Sequence, residues 1–336
     1  MTNSPIKNVL VTGGAGYVGT MLVPQLLKAG YSVSVYDCMF FGCELKPSPK
    51  LKIIDADIRD VDRFRDACWG VDAVIHLACI SNDPSFELDE GLSETINYDA
   101  FEPLVVAAKE QGVRRFVYAS SSSVYGVSDQ PDVTEDHPLV PLTLYNKFKG
   151  LCEPLLFKHQ SDDFVCVTIR PATLCGYSDR MRLDLTVNIL TNHAVNNGKI
   201  TVFGGEQQRP NLHIQDMCDL YELLLTIEDS KIAGEIFNAG YQNHSIMDIA
   251  EMVKKVVQAE FPDKGEIEIA TTPTNDIRSY HINSDKIGNK LGFYPKRGIE
   301  DAARDLCTAF KAGNLPDSMS DDSYSNVKVL KGKQAA

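Results

Sequence analysis

Tyr145 and Lys149 are the two residues of this 336-residue sequence whose types and spacing best suit proton transfer. Four residues apart on a helix, they would share one face, with Cβ atoms roughly 5–6 Å apart. A free tyrosine has a pKa near ~10, too high for a base at neutral pH, but a nearby ammonium and oxidised nicotinamide would both favour the phenolate. Lys149 could also hold a ribose, and Ser121 could donate a hydrogen bond to the reacting oxygen. Because Tyr-x-x-x-Lys is also common on solvated helix faces, this interpretation needs a cofactor site close by.

A dinucleotide fingerprint near the start of the chain supplies that site. The apolar run 9–11 predicts a buried strand, and Gly13, Gly16 and Gly19 follow it at once, ahead of a helix over 21–29. Gly13 allows a tight turn, Gly16 lets the backbone approach a pyrophosphate, and Gly19 lets the helix pack close to the strand. The N-terminus of that helix then offers N–H groups and the positive end of its dipole to phosphates.

Asp37 indicates which dinucleotide binds. It ends a second predicted strand, 31–37. It follows the glycines by about 20 residues, which is the spacing that the fingerprint requires. An acid there accepts hydrogen bonds from the adenosine ribose and repels a 2′-phosphate, which favours NAD over NADP. The alternative is a solvated aspartate at a strand end.

The elements that must position these residues alternate between strand and helix. Helices are predicted over 94–111 and 144–159, and further strands over 51–57, 73–79, 115–120 and 165–171. This alternation indicates an α/β fold, a Rossmann-type doubly wound parallel sheet of about seven strands. Ligands of such sheets bind beyond the carboxyl ends of the strands, where this chain places the glycines, Asp37, Asp57, Cys79, Ser121 and Thr173.

The alternating pattern loosens in the second half of the chain. We expect residues 1–178 to form the NAD-binding domain, with later segments returning to it, and residues 179–314 to form mainly a smaller α+β substrate lobe. The polar segment 315–336 is expected to be disordered. Pro24, Pro103 and Pro154 fall inside predicted helices, which indicates kinks or misplaced helix boundaries.

Composition and charge argue against several classes of function. Thirty-three Lys and Arg against 46 Asp and Glu give a net charge of −13, which argues against binding nucleic acid or an anionic membrane. No stretch approaches the ~18 apolar residues of a membrane span, and the start has no apolar signal core. The nine cysteines show no metal-ligand spacing, so we expect reduced thiols, a cytoplasmic protein and no metal site.

Taken together, these motifs resemble those of the extended short-chain dehydrogenase/reductases that act on nucleotide sugars. The resemblance spans residues from about 7 to 312 and extends to Asp57-Ile58, His76-Leu-Ala-Cys79, Ser120-Ser-Ser-Ser-Val-Tyr-Gly126, Arg170-Pro171, Arg209-Pro-Asn-Leu-His213 and Asp276-Ile-Arg278. It implies that Tyr145 is the acid/base, that Lys149 is its electrostatic partner and a ribose ligand, and that Ser121 completes the triad.

The resemblance also implies two sets of binding residues and a homodimer. Besides Tyr145 and Lys149, the cofactor set comprises Gly13, Gly16, Tyr17, Val18, Asp37, Asp57, Ile58, Leu77, Ala78, Cys79, Ser120 and Pro171. The set for a nucleotide-diphosphate sugar comprises Ser81, Ser122, Ser123, Thr173, Arg180, Arg182, Arg209 and Arg278. Arg209 and Arg278 are expected near the diphosphate, whereas Arg180 and Arg182 could equally be surface arginines. The dimer would form through the helices near 94–111 and 144–159, although their apolar residues could equally be core.

Two departures from the family pattern narrow the reaction. Members that dehydrate the sugar place an Asp-Glu pair where this chain has Ser122-Ser123, and two serines do not supply the acid and base required. Thr173 stands where many 4-epimerases carry Asn, and segment 177–185 resembles the subgroup that handles sugars of bacterial polysaccharides. The leading hypothesis is NAD-dependent oxidation at C4 of a nucleotide-linked sugar, by a 4-epimerase or a 4-dehydrogenase. The alternatives are a dehydratase or reductase of the same family, and a non-catalytic NAD-binding sensor or scaffold.

Overall fold

The computed structural model describes residues 5–128, 130, 132–274 and 279–334. Its strands are β1 (Asn8–Thr12), β2 (Ser32–Asp37), β3 (Leu51–Asp55), β4 (Ala73–His76), β5 (Arg115–Ala119), β6 (Val165–Pro171), β7 (Thr173–Cys175), β8 (Lys199–Phe203), β9 (Gln208–His213), β10 (Glu235–Ala239), β11 (Gln242–Ser245) and β12 (Glu268–Thr272). One sheet contains seven parallel strands in the order β10-β6-β5-β4-β1-β2-β3. The predicted Rossmann-type sheet of about seven strands is therefore confirmed.

Helices flank this sheet and build the second lobe. They are α1 (Gly19–Lys28), α2 (Val61–Ala67), α3 (Asp83–Phe86), α4 (Glu90–Glu94), α5 (Phe101–Glu110), α6 (Leu144–Phe157), α7 (Thr186–Asn197), α8 (Ile214–Thr226), α9 (Asp229–Ile232), α10 (Ile246–Glu260), α11 (Asp285–Leu291), α12 (Ile299–Lys311) and α13 (Asn326–Gln334). Within the described ranges, no helix is both long and apolar enough to cross a membrane.

The central strands are apolar on both faces because helices cover both sides of the sheet. Along β1, Val9 and Val11 pack into one core cluster while Leu10 packs into another, as the two-residue period of a strand requires. All four residues of β4 are buried. The sheet is thus a rigid base, and its loops at the carboxyl ends of the strands form the site.

The strand order reverses between β1 and β4, and this is where the glycine turn lies. β2 and β3 extend the sheet from one side of β1, and β4, β5, β6 and β10 extend it from the other. Gly13 has a φ of +68°, and a Cβ there would come within 2.7 Å of the Ala78 backbone nitrogen that follows β4. Only glycine permits this turn at the crevice where ligands of open parallel sheets bind.

A smaller lobe is built mainly from the chain after β6. Strands β11, β9 and β7 form one sheet, and β12 and β8 form a second. Helices α7, α10 and α12 pack on one another around a separate apolar cluster that includes Val187, Val253 and Ala303. β10 and α8 instead return to the main sheet, where β10 pairs with β6 and α8 packs on α1.

The expectation that segment 315–336 is disordered is wrong for its described part. Leu315 and Leu330 are buried in two different core clusters, and α13 occupies most of the last ten described positions. Asn326, at the start of α13, is only 3% exposed. The segment is polar along most of its length, but these few residues contact the body of the protein and hold it there. Residues 315–334 are called the C-terminal arm below.

The structure also accounts for one of the three prolines predicted inside helices. A π-helical segment over Thr95–Asp99 precedes α5, and Pro103 lies in the first turn of that helix. A proline is tolerated there because the first-turn N–H groups have no partner within the helix. Pro24 and Pro154 do lie inside α1 and α6, respectively, and nothing in the structure explains them.

Candidate functional site

One cavity of about 430 Å³ gathers the predicted site residues at the carboxyl ends of the sheet strands. All members of the predicted catalytic, cofactor and substrate sets line it except Arg278, which lies outside the described residues. Among the residues that the model describes, no group of three or more His, Cys, Asp or Glu side chains is arranged to hold a metal ion.

The glycine turn opens the cavity towards the N-terminus of α1. A Cβ on Gly16 would approach the Gly13 carbonyl to 3.2 Å, and one on Gly19 would overlap the Gly14 carbonyl. Within the described chain, no side chain caps α1 at its N-cap residue, Val18. The turn therefore presents backbone N–H groups and the helix dipole to the cavity, as a diphosphate requires.

Asp37 is held at the end of β2 by its neighbours. Its two carboxylate oxygens accept hydrogen bonds from the backbone N–H groups of Ala15 and Met39, at 3.0 and 2.9 Å. Burial raises the pKa of Asp37, and these hydrogen bonds and the charge of Arg180 oppose the rise. The carboxylate is thereby fixed beside the glycine turn, and its oxygens keep lone pairs that can accept hydrogen bonds from a ligand in the cavity.

Helix α6 carries both Tyr145 and Lys149 to the cavity. Thr143 caps the helix by accepting a hydrogen bond from the Asn146 N–H. Lys149 is 4% exposed, and its ammonium donates to the Ala119 carbonyl at the end of β5, at 2.7 Å. Burial raises the pKa of Tyr145 well above its ordinary value; Cys79 and Asp83 add to the rise and Arg182 opposes it. Without ligands, the tyrosine is therefore a neutral phenol.

Ser121 belongs to a chain of hydrogen bonds that ends on α6. Its hydroxyl lies 2.6 Å from the Ser123 hydroxyl, and the Ser123 hydroxyl donates to the side-chain oxygen of Asn146. Because Ser123 has one hydroxyl hydrogen and gives it to Asn146, Ser121 must donate to Ser123 in this arrangement. Rotating the Asn146 amide by half a turn would reverse both bonds and free the Ser121 hydrogen for a ligand.

Asn146 was missed in the sequence although it directly follows Tyr145. A polar residue next to a candidate tyrosine was the available signal, but helical spacing alone places it off the Tyr145–Lys149 face. The structure buries it to 2% exposure against Ser123.

Ser120 and Ser122 differ from the other predicted binding residues. The Ser120 hydroxyl donates to the buried carboxylate of Glu153 at 2.7 Å, and Glu153 in turn pairs with Arg170. The side chain of Ser120 is therefore part of the polar network beneath the site, and the main chain of Ser120 is the part that remains available to contact a cofactor. Ser122 is 1% exposed at the start of the 3₁₀ turn that follows β5.

Arg182, a predicted substrate residue, lines the cavity beside Ser81. Its guanidinium pairs with Asp184 at 2.9 Å and donates to the Ser81 hydroxyl at 3.2 Å. Asp83, which also lines the cavity, accepts a hydrogen bond from Thr143 at 2.6 Å. This part of the wall is therefore a network of paired charges and hydroxyls that suits a polyhydroxylated ligand.

Arg180 lines the cavity and makes contacts that its prediction as a substrate ligand did not include. Its guanidinium stacks on Phe41, which follows β2, and its backbone N–H donates to Thr20 of α1. Asn326 of the C-terminal arm accepts a hydrogen bond from it at 2.6 Å. Sequence separation hid this arrangement, since Asn326 is 146 residues from Arg180 in the chain. Arg180 therefore lies close to Asp37 and to the first turn of α1.

Arg209 lies in the second lobe and faces the cavity from β9. It is 7% exposed, donates to the Gln208 carbonyl, and lies with its guanidinium carbon 5.9 Å from the centre of the Tyr280 ring. Tyr280 lines the same cavity. A guanidinium beside an aromatic ring suits a nucleotide diphosphate and its base.

Comparison with known proteins agrees with this geometry. The UDP-glucose 4-epimerase of Lactobacillus helveticus is 28% identical over 330 residues, covering 90% of this chain and 96% of its own length. The dTDP-glucose 4,6-dehydratase of Streptomyces griseus is 26% identical over 307 residues, covering 88% and 91%. The solved structure of UDP-N-acetylglucosamine 4-epimerase from Methanobrevibacter ruminantium M1, in complex with UDP-N-acetylmuramic acid, matches the fold with a TM-score of 0.82 at 22% identity, covering 92% of this chain and 99% of its own.

A sequence model of a protein family matches the part of the chain that contains the glycine turn, the Tyr145–Lys149 helix and β10. Residues 9–240 match the model described as the NAD dependent epimerase/dehydratase family. Because these residues make up more than half of the chain, the protein is an enzyme of the NAD dependent epimerase/dehydratase family, and NAD is its cofactor.

Proposed function

We propose that this protein oxidises the C4 hydroxyl of a nucleotide-linked sugar. It then either returns the hydride to the other face, as a 4-epimerase, or releases the 4-keto sugar, as a 4-dehydrogenase. The observation that carries the proposal is the convergence of Ser121, Tyr145 and Lys149 on the cavity that the glycine turn and Asp37 also line. These side chains supply the acid/base and orienting groups that hydroxyl oxidation needs beside a hydride acceptor.

The residues around the glycine turn fit NAD. The uncapped N-terminus of α1 suits its diphosphate, and Asp37 suits its adenosine ribose while repelling a 2′-phosphate. When bound, NAD accepts the hydride from the sugar and places a positive charge in the cavity.

Tyr145 acts as the base that removes the hydroxyl proton. Burial keeps the tyrosine protonated in the ligand-free protein, so the positive ring of the bound cofactor and Lys149 together must favour its phenolate. Lys149 has an anchored ammonium for this role and for a ribose hydroxyl. Ser121 donates to the reacting oxygen once the Asn146–Ser123 relay is turned towards the ligand.

The residues that line the cavity support dehydration of the sugar less well than oxidation at C4. Loss of the C6 hydroxyl needs an acid and a base beside the ring, and the positions that supply them in dehydratases are Ser122 and Ser123 here. Ser122 is buried, and Ser123 is engaged with Ser121 and Asn146. The nearby carboxylate of Asp83 is already hydrogen-bonded to Thr143.

The experiment is incubation of the protein and NAD with a panel of nucleoside-diphosphate sugars, followed by absorbance at 340 nm and NMR of the products. A C4 epimer or a 4-keto sugar is expected. Products dehydrated at C5–C6, or a broad panel without turnover, would contradict the proposal.

Replacing Tyr145 tests the mechanism. Tyr145→Phe should lower kcat about 10²- to 10⁴-fold, because it removes the group that accepts the proton. The affinity for NAD should stay within about threefold of that of the unmutated protein. Tyr98→Phe is the matched control, because Tyr98 packs on Phe148 and does not line the cavity. Normal turnover by Tyr145→Phe would exclude the tyrosine as the base.

A further inference from the structure

Arg180 is a buried guanidinium that the proposed sugar chemistry does not use. It is 5% exposed and lines the cavity. One nitrogen, Nη2, donates to Asn326 at 2.6 Å, and the plane lies over Phe41 with 4.1 Å between the guanidinium carbon and the ring centre. Its Nε is buried without a hydrogen-bond partner among the described residues. A buried charged donor left in this state is destabilising, which indicates that a ligand supplies the missing acceptor.

The surroundings of Arg180 indicate which ligand that is. Its backbone N–H donates to the Thr20 hydroxyl, which in turn contacts the Gly16 carbonyl at the start of α1. Burial and the charge of Arg182 lower the pKa of Arg180 to about 10, and the nearby carboxylates of Asp184 and of Asp37, the predicted ribose ligand, oppose this fall. The guanidinium thus lies close to Asp37, and the backbone of Arg180 contacts the first turn of α1, whose positive dipole end favours a phosphate.

Asn326 fixes this guanidinium from the far end of the chain. Its side-chain oxygen accepts from Arg180, its amide nitrogen donates to the Ser81 hydroxyl at 3.0 Å, and its backbone N–H donates to Asp184 at 3.1 Å. One turn later, Leu330 lines the cavity and packs in the cluster that contains Ile58. The C-terminal arm therefore crosses the cavity mouth from the sugar side to the adenosine side.

We propose that Arg180 binds the diphosphate of NAD and that Asn326 is the positioning residue that holds its guanidinium in place for it. A guanidinium is well suited to this task because its rigid fork binds phosphate oxygens in pairs, and the Phe41 stack and the Asn326 bond restrict its orientation before the ligand arrives. The inference rests on the cofactor part of the proposed function.

The proposal links the C-terminal arm to cofactor binding. Because Asn326 also holds Ser81 and Asp184, the residues that orient Arg182, the arm connects the cofactor half of the cavity to the sugar half. A ligand that orders Arg180 should then favour the docked arm, and a docked arm should favour that ligand by the same factor.

The test is isothermal titration of nucleotide-free full-length protein with NAD, ADP-ribose and adenosine. Arg180→Met should weaken NAD and ADP-ribose about 10- to 100-fold, the effect of losing charge-assisted hydrogen bonds, and change adenosine by less than about threefold. Lys328→Met, an exposed substitution on the same arm as Asn326, is the control and should change none of the three. Circular dichroism checks that each variant is folded.

A double-mutant cycle separates positioning from general damage. Asn326→Ala should weaken NAD about 3- to 10-fold in the unmutated background but by less than about twofold in Arg180→Met, since it acts through the guanidinium. Additive losses, equal losses for NAD and adenosine, or unchanged NAD affinity in Arg180→Met would each overturn the proposal. Failure of the unmutated protein to bind NAD would instead overturn the proposed function. A further titration with UDP completes the test: weaker UDP binding by Arg180→Met with unchanged NAD binding would overturn the proposal and assign the guanidinium to the substrate.

Discussion

The direction of a single hydrogen-bond chain decides whether Ser121 can reach a substrate oxygen. Ser123 stands between Ser121 and Asn146 and can donate to only one of them. With the Asn146 oxygen facing Ser123, the Ser121 hydrogen points away from the ligand. With the amide nitrogen facing Ser123, each hydroxyl passes its hydrogen one step towards the ligand. Asparagine permits both states because its two side-chain ends are an acceptor and a donor of similar shape.

Asn146→Asp should therefore lower kcat with little change in KM. An ionised carboxylate only accepts, so it holds Ser123 and then Ser121 in the unproductive direction, and a loss of about tenfold corresponds to one hydrogen bond of ~1.4 kcal/mol. The defect should shrink as the pH falls and the new carboxyl group gains a proton that it can donate.

The measurement is the pH profile of kcat for Asn146→Asp beside the unmutated protein. Lys147→Gln is the matched control, because it makes the same change of one charge unit on the adjacent, exposed position of α6. A similar loss in both variants, or a defect that does not vary with pH, would argue against the relay.

At the scale of elements, β1 and β4 place the glycine turn and the loop after β4 side by side. The link between them is polar: the Thr12 hydroxyl lies 2.9 Å from Nδ1 of His76 and accepts from the Ala78 N–H. Burial, assisted by the charge of Lys149, lowers the pKa of His76 to about 3. His76 is therefore a neutral, structural residue of the sheet.

The pH dependence of stability follows from this histidine. The unfolded chain binds a proton at His76 below about pH 6.5 and the folded chain does not until about pH 3, so the free energy of unfolding should fall by roughly 1.4 kcal/mol per pH unit between these values. Urea unfolding measures the free energy of unfolding of the unmutated protein and of His76→Gln at pH 7 and at pH 5. The advantage of the unmutated protein over the variant should shrink by about 2 kcal/mol at pH 5. His244→Gln, in β11 at the edge of the second lobe, serves as the control. A constant difference would mean that folding does not lower the pKa of His76.

At the scale of the whole molecule, two lobes and the C-terminal arm enclose one cavity, and α6 presents an apolar strip on the outside. Leu144 and Leu151 of α6 are 37% and 38% exposed, and Leu142 just before the helix is 44% exposed. Leu104, Val105, Ala107 and Ala108 of α5, which the sequence left open as interface or core, are fully buried within the chain. The strip on α6 is therefore the part of the predicted dimer face that is free to meet a second copy.

Replacing both Leu144 and Leu151 with glutamate tests the expected homodimer. The double variant should be monomeric at micromolar concentration, because the charges would be buried in the interface, whereas the unmutated protein should have twice the monomer mass. Light scattering coupled to size-exclusion chromatography distinguishes the two. Phe203→Glu, at a more exposed apolar position on β8, should not change the mass. A monomeric unmutated protein would refute the dimer.

Local patterns in the sequence determined the sheet, the glycine turn and the Tyr145–Lys149 helix. Each depends on residues close together in the chain: alternation within β1, glycines three residues apart, and two side chains on one helical face. Parallel strands then bring their carboxyl ends to one edge, so Asp37, Ser121 and Tyr145 could be expected at the same site.

Only the tertiary structure decided which side chains are free to meet a ligand. The Ser120 hydroxyl donates to Glu153, and the Arg180 guanidinium donates to Asn326. The arm that was expected to be disordered also brings Asn326 to Ser81. These outcomes depend on contacts between residues more than 30, and in the arm more than 100, positions apart. No local periodicity encodes such a contact, because the energy of a buried hydrogen bond depends on the partner that folding brings to it.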